Sequence, residues 1–170
     1  NKYIFPAVLL ITSLGSVGYS SSKNNGTAHQ ELKVGKLSST CSFSAGNSGE
    51  MDYSETANTF TSKNNKAAKI QVTWREMSNV VITNDKSISE SEGGGTTPDM
   101  IGSINWNNLS MGDKNPSESD SGWAVTIDLG TDSVQGSETV TLDTILTMAD
   151  GFQPVSNGTY FTSYTITCNE

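Results

Sequence analysis

Apolar residues along this chain recur at every second position far more often than at every third or fourth, the spacing of a strand that buries one face. The runs are "ELKVGKL" with Leu32 and Val34, "AKIQVTW" with Ile70, Val72 and Trp74, "NVVIT" with Val80 and Ile82, and "SINWNNL" with Ile104 and Trp106. "WAVTIDL" contributes Trp123, Val125, Ile127 and Leu129, and "ETVTLDTILTM" adds Val140 and Leu142. A last run, "TYFTSYTITC", alternates through Tyr160, Thr162, Tyr164, Ile166 and Cys168. Between them lie "SAGNSGE", "SKNNK", "SESEGGGTTPD", "MGDKNPSESDSG" and "GFQPVSNG", all rich in residues that turn a chain. About seven short strands with such punctuation predict an all-β protein, a β-sandwich of immunoglobulin-like type. There is no internal repeat, and only "SETANTF" is compatible with a short helix.

Composition places this pattern outside the cell. Charged residues are 16 % of the 170, and 10 basic against 18 acidic residues leave a net charge of −8. Nucleic acid is not an expected partner, because affinity for a phosphate backbone rests on clustered Lys and Arg. The opening stretch has a cation at Lys2, an apolar run from Ile4 to Leu14, and small residues at Ser16 and Gly18. That layout predicts a secretory signal peptide over residues 1–22, followed by a single domain over 23–170. The apolar run is too short to span a bilayer as a helix. Export then predicts that Cys41 and Cys168, the chain's two cysteines, form a disulfide. Neither has the neighbouring Cys or His that a zinc site needs.

Candidate chemistry is sparse. His29, the single histidine, sits in the polar segment "NNGTAHQE" and reads as a solvated surface residue. No nucleophile elbow, phosphate-cradling glycine motif or metal-ligand spacing occurs, so no catalytic residue, metal or cofactor is expected and no enzyme. Gly93 to Gly95 read as a loop. Asp113, Glu118, Asp120, Asp128 and Asp132 match no calcium loop. Trp106 and Trp123 lie in alternating runs, which favours a core role over a sugar-stacking platform. Sequons at Asn25, Asn108 and Asn157 are unsurprising in a chain so rich in Asn, Ser and Thr.

The segment "ELKVGKLSSTCSFS", followed by "GEMDYSETANTFTS" and an apolar strand, together with the late "NGTYFTSYTIT", resembles a chaperone–usher pilus subunit. The resemblance implies an incomplete immunoglobulin-like sandwich, lacking its seventh strand and completed by a donor strand from another chain. It implies an acceptor groove and chaperone-binding strand marked by Gly158, Tyr160, Tyr164 and Ile166, and a possible donor strand carrying Ala28, Leu32 and Val34. The implied partners are other pilus subunits, a periplasmic chaperone, an outer-membrane usher and a host-surface receptor, and the implied route is through the periplasm to a surface fimbrium.

Two departures bear on the role. Gly158 lies one place nearer the end of the chain than in the family, and the second Cys, Cys168, comes late, at the close of the Gly–aromatic strand, closer to invasin-like tip subunits. The segment "YSSSKNNGTAHQ" lacks large alternating apolar residues, which points to a tip subunit, whereas donation through Ala28, Leu32 and Val34 points to the shaft. The competing expectation is a self-contained secreted sandwich that binds carbohydrate through Trp106 or Trp123. A seventh strand supplied within the chain favours that competitor; an open groove along the last strand favours the pilus subunit.

Overall fold

The computed structural model describes residues 27–36, 41–44, 46–89, 97–98, 100–130, 135–152 and 159–170. The segment expected to be a signal peptide, residues 1–22, lies outside them, as do Gly93 to Gly95, Asp132 and Gly158.

The described residues form strands joined by turns, with no helix. In chain order the strands are β1 (Thr27–Lys36), β2 (Cys41–Ser44), β3 (Gly49–Ser54), β4 (Thr59–Ser62), β5 (Ala68–Arg75), β6 (Asn79–Ser89) and β7 (Thr97–Pro98). They continue with β8 (Ile101–Asn105), β9 (Ser110–Met111), β10 (Pro116–Glu118), β11 (Ala124–Asp128), β12 (Gln135–Leu142), β13 (Ile145–Met148) and β14 (Thr159–Asn169). One sheet has the order β2-β5-β12-β9. The other runs β10-β11-β6-β14-β1-β3-β4-β13-β8, with β7 also on β6. The two-sheet, all-β architecture is that of a β-sandwich.

Alternation does what the sequence pattern requires of it. In β5, Ala68, Ile70, Val72 and Trp74 are buried while Lys69, Gln71, Thr73 and Arg75 are exposed. Those inward residues meet Val80 and Ile82 of β6, Val125 and Ile127 of β11, Val140 and Leu142 of β12, and Tyr164 and Ile166 of β14 in one apolar core between the sheets. On the outer face the same strands are polar and laced together, Gln71 Nε2 donating to Ser137 Oγ at 2.9 Å. Opposite Trp74 in the ladder stands Gly136, where a β carbon would collide with the indole ring.

The larger sheet curls at its far end over a second core of Met51, Phe60, Ile88, Ile101, Leu146, Met148 and Tyr160. Phe60, Phe152 and Tyr160 pack there edge-on or tilted, with ring centroids 5.7 to 6.1 Å apart, a favoured arrangement of aromatic quadrupoles.

The described residues hold fourteen strands where about seven were expected, β10 lying inside the expected turn "MGDKNPSESDSG", and two further segments differ from the sequence reading. "SETANTF" is the hairpin between β3 and β4, not a helix; Asn58 closes its turn at φ 51°, a conformation that Asn tolerates better than most residues. "ETVTLDTILTM" is divided by Asp143 and Thr144 between β12 in one sheet and β13 in the other.

Candidate strand-accepting site

The terminal strand β14 lies inside the larger sheet, with β6 on one side and β1 on the other. Tyr160, Thr162, Tyr164, Ile166 and Cys168 are buried, as the expected period requires; on the other face Phe161, Thr165 and Thr167 are half-buried and Ser163 is buried as well. Against β6 it runs antiparallel, from Phe161 opposite Ser89 to Asn169 opposite Asn79.

The other flank is the place where the resemblance puts an acceptor groove. It is filled from within the chain. β1 runs parallel to β14, from Thr27 opposite Thr159 to Val34 opposite Ile166, and Lys36 opposite Thr167 follows after an irregularity. Ala28 therefore stands opposite Tyr160, Leu32 opposite Tyr164 and Val34 opposite Ile166. The positions named as donor and as acceptor are thus adjacent register partners in one chain. The far edge of β1 pairs antiparallel with β3, Gln30 lying opposite Gly49. This β1–β14 ladder is the one parallel pairing among the described strands.

Beneath the ladder is a buried polar cluster that the hydrophobic pattern did not mark. Gln30, Asn84, Thr144 and Thr162 are all essentially inaccessible. Gln30 Nε2 donates to Thr144 Oγ1 at 2.6 Å and to the Tyr164 hydroxyl at 3.1 Å, and those two oxygens are 2.9 Å apart. Asn84 Nδ2 donates to Thr162 Oγ1 at 3.2 Å. Burial pushes the Tyr164 phenol up to about 12, against hydrogen bonds with Thr144, Gln30 and Asn84 that lower it. The phenol therefore stays protonated and neutral, as a buried hydroxyl in a polar network must.

The other sequence candidates are dispersed. Cys41 and Cys168 form the expected disulfide, their Cα atoms 6.5 Å apart. It ties β2 of the smaller sheet to β14 of the larger, and such a bond suits an oxidising, non-cytoplasmic compartment. His29 is half-buried rather than solvated and stacks on Phe161, centroids 5.4 Å apart. Trp106 is buried, donating from Nε1 to the Gly122 carbonyl at 2.8 Å. Trp123 is half-buried, with Lys86 Nζ 4.8 Å from the centre of its ring. Asp113 pairs with Lys114 at 3.6 Å, and Asp128 Oδ1 accepts from the Gly130 amide at 2.8 Å. Among the described residues no three His, Cys, Asp or Glu side chains gather where they could hold a metal ion, and no helix is long and apolar enough to cross a membrane. In comparisons with known proteins, the chain matches no family model and no curated sequence.

Proposed function

We propose that this chain is a non-enzymatic subunit of an adhesive surface pilus, an immunoglobulin-like sandwich whose slot beside the terminal strand takes a strand as part of assembly. The observation that carries the reading is the parallel β1–β14 ladder. In an immunoglobulin-type order, four strands on one sheet face three on the other, and the seventh strand runs antiparallel beside the sixth. Here β2-β5-β12-β9 stands for the four, and β6-β14 for the first two of the three. The seventh place holds a segment from the opposite end of the described chain, running the other way. A slot that seats a strand without a hairpin connection is suited to seating one from another molecule, since backbone pairing carries little sequence information.

On this reading the chain is exported, is held in the periplasm by a chaperone strand placed against β14, and joins fellow subunits through an usher into a surface fimbrium. The same ladder favours a second reading, a self-contained secreted sandwich closed in cis by β1. In that case sugar binding would fall to Trp123, because Trp106 is buried.

The test is to export the full chain with and without a pilus chaperone, then measure complex formation and multimers that survive mild detergent. A stable chaperone complex and strand-linked multimers are expected. A soluble monomer that joins neither the chaperone nor its own copies would overturn the pilus reading in favour of the closed sandwich.

A further inference from the structure

At the centre of the β1 seat a polar side chain stands where packing against a core calls for an apolar one. Gln30 is fully buried, and its carboxamide is held by the hydroxyls of Thr144 and Tyr164 at 2.6 and 3.1 Å. Neither hydroxyl is positioned by β1. Thr144 is locked to β4, its amide donating to Ser62 Oγ at 3.0 Å while the Ser62 amide donates to its carbonyl at 3.1 Å. Tyr164 is fixed within β14, its ring edge-on to Trp106 at 5.8 Å between centroids. The notch is therefore part of the seat, and Gln30 is what the strand brings to it.

We infer that this notch reads the strand: it selects, for the place beside β14, the 27–36 segment of a second copy of this chain over strands that are apolar at the position of Gln30. A carboxamide nitrogen carries two donors, and the notch offers two hydroxyl oxygens 2.9 Å apart to receive them. An apolar side chain donates to neither and leaves the two hydroxyls only each other, and a carboxylate would bring a buried charge. Room for the long side chain comes from its other neighbour. Gly49 is buried opposite Gln30, and a β carbon there would meet Gln30 Oε1, which has no hydrogen-bond partner among the described residues, and, at 2.7 Å, the Ala68 amide nitrogen. A slip of two residues would bring Ala28 or Leu32 to the notch, so the same contact sets the register.

The inference rests on the reading that the slot takes strands from other copies, and the experiment separates the two. The full-length oxidised protein is refolded with an excess of fluorescent TAHQELKVGK or of the same peptide with leucine in place of the glutamine, and the label retained on gel filtration is measured. The glutamine peptide is expected to be retained at least about fivefold better, the worth of one or two buried hydrogen bonds. In Thr144→Val/Tyr164→Phe protein that preference is expected to vanish. Equal retention of both peptides by the unmutated protein, or a preference that persists without the hydroxyls, overturns the inference and leaves strand exchange standing. Retention of neither peptide overturns both.

Discussion

The Tyr164 hydroxyl is tolerable in a core because Thr144, Gln30 and Asn84 meet it there, and its protonation state follows from the same burial. An unfolded tyrosine ionises near 10.0, whereas this one is pushed up to about 12. Between those values the unfolded chain has released the proton and the folded chain has kept it, so stability falls as pH rises. The contribution is fully present below pH 10.0 and is lost as pH climbs toward about 12. It amounts to roughly 3 kcal/mol for a shift of this size. Urea denaturation at stepped alkaline pH should show that decline, and Tyr164→Phe should flatten it; an equal slope in the variant would remove Tyr164 as its cause. The inward direction of Tyr160, Tyr164 and Ile166 was legible in the sequence, because alternation in a strand states it directly. Gln30 was not, since a glutamine in "AHQE" reads as surface, and its partners lie 114 and 134 residues away.

At the level of elements, patterning located strands better than it located the boundaries between sheets. "AKIQVTW" is β5 almost to the residue, because both of its faces are unambiguous. "ETVTLDTILTM" hides a corner: Thr144 is buried like its apolar neighbours, so nothing in the alternation says that the chain leaves one sheet for the other there. The parallel pairing of β1 was equally hidden, since hydrophobic period is blind to strand direction. What period does specify is the contrast between the faces of β14. Ile166 is wholly enclosed, and a lysine there would carry its charge into the main core, costing several kcal/mol. Thr165 is half-buried, and its hydroxyl reaches Asp85 Oδ1 at 3.2 Å, so a lysine at that position gains an acidic neighbour and a route to water. Urea midpoints should therefore drop sharply, or the fold be lost, for Ile166→Lys, while Thr165→Lys stays within about 1 kcal/mol of the parent. Comparable losses on both faces would mean that the outer face of β14 is covered as tightly as the inner one.

Across the whole molecule, the disulfide and the β1 seat act on the same few residues. β1 ends at Lys36 and β2 begins at Cys41, so the chain passes from the strand proposed to exchange to an anchored one within a short connection. Cys41 is fastened to Cys168 at the far end of β14, across a sequence separation of 127 residues. With that bond intact, the departure of β1 need not carry β2 with it, and the core between the sheets keeps its covalent tie. Closing so long a loop is worth about 4 to 5 kcal/mol on the chain-entropy account. Replacing both cysteines by serine should accordingly lower the unfolding free energy by roughly 2 to 5 kcal/mol in denaturant titrations. The more telling measurement is amide hydrogen exchange along the chain. In the oxidised protein β1 should open at a lower free energy than β5, which β2 and β12 pair antiparallel, because β3 pairs with β1 only over Thr27 to Gln30 and local openings begin in the least enclosed units. In the cysteine-free variant the two values should converge, since the loss of β1 would then loosen β2 and the sheet behind it. Equal protection of β1 and β5 in the oxidised protein would mean that β1 is an ordinary member of one cooperative sandwich and cannot be exchanged without unfolding it.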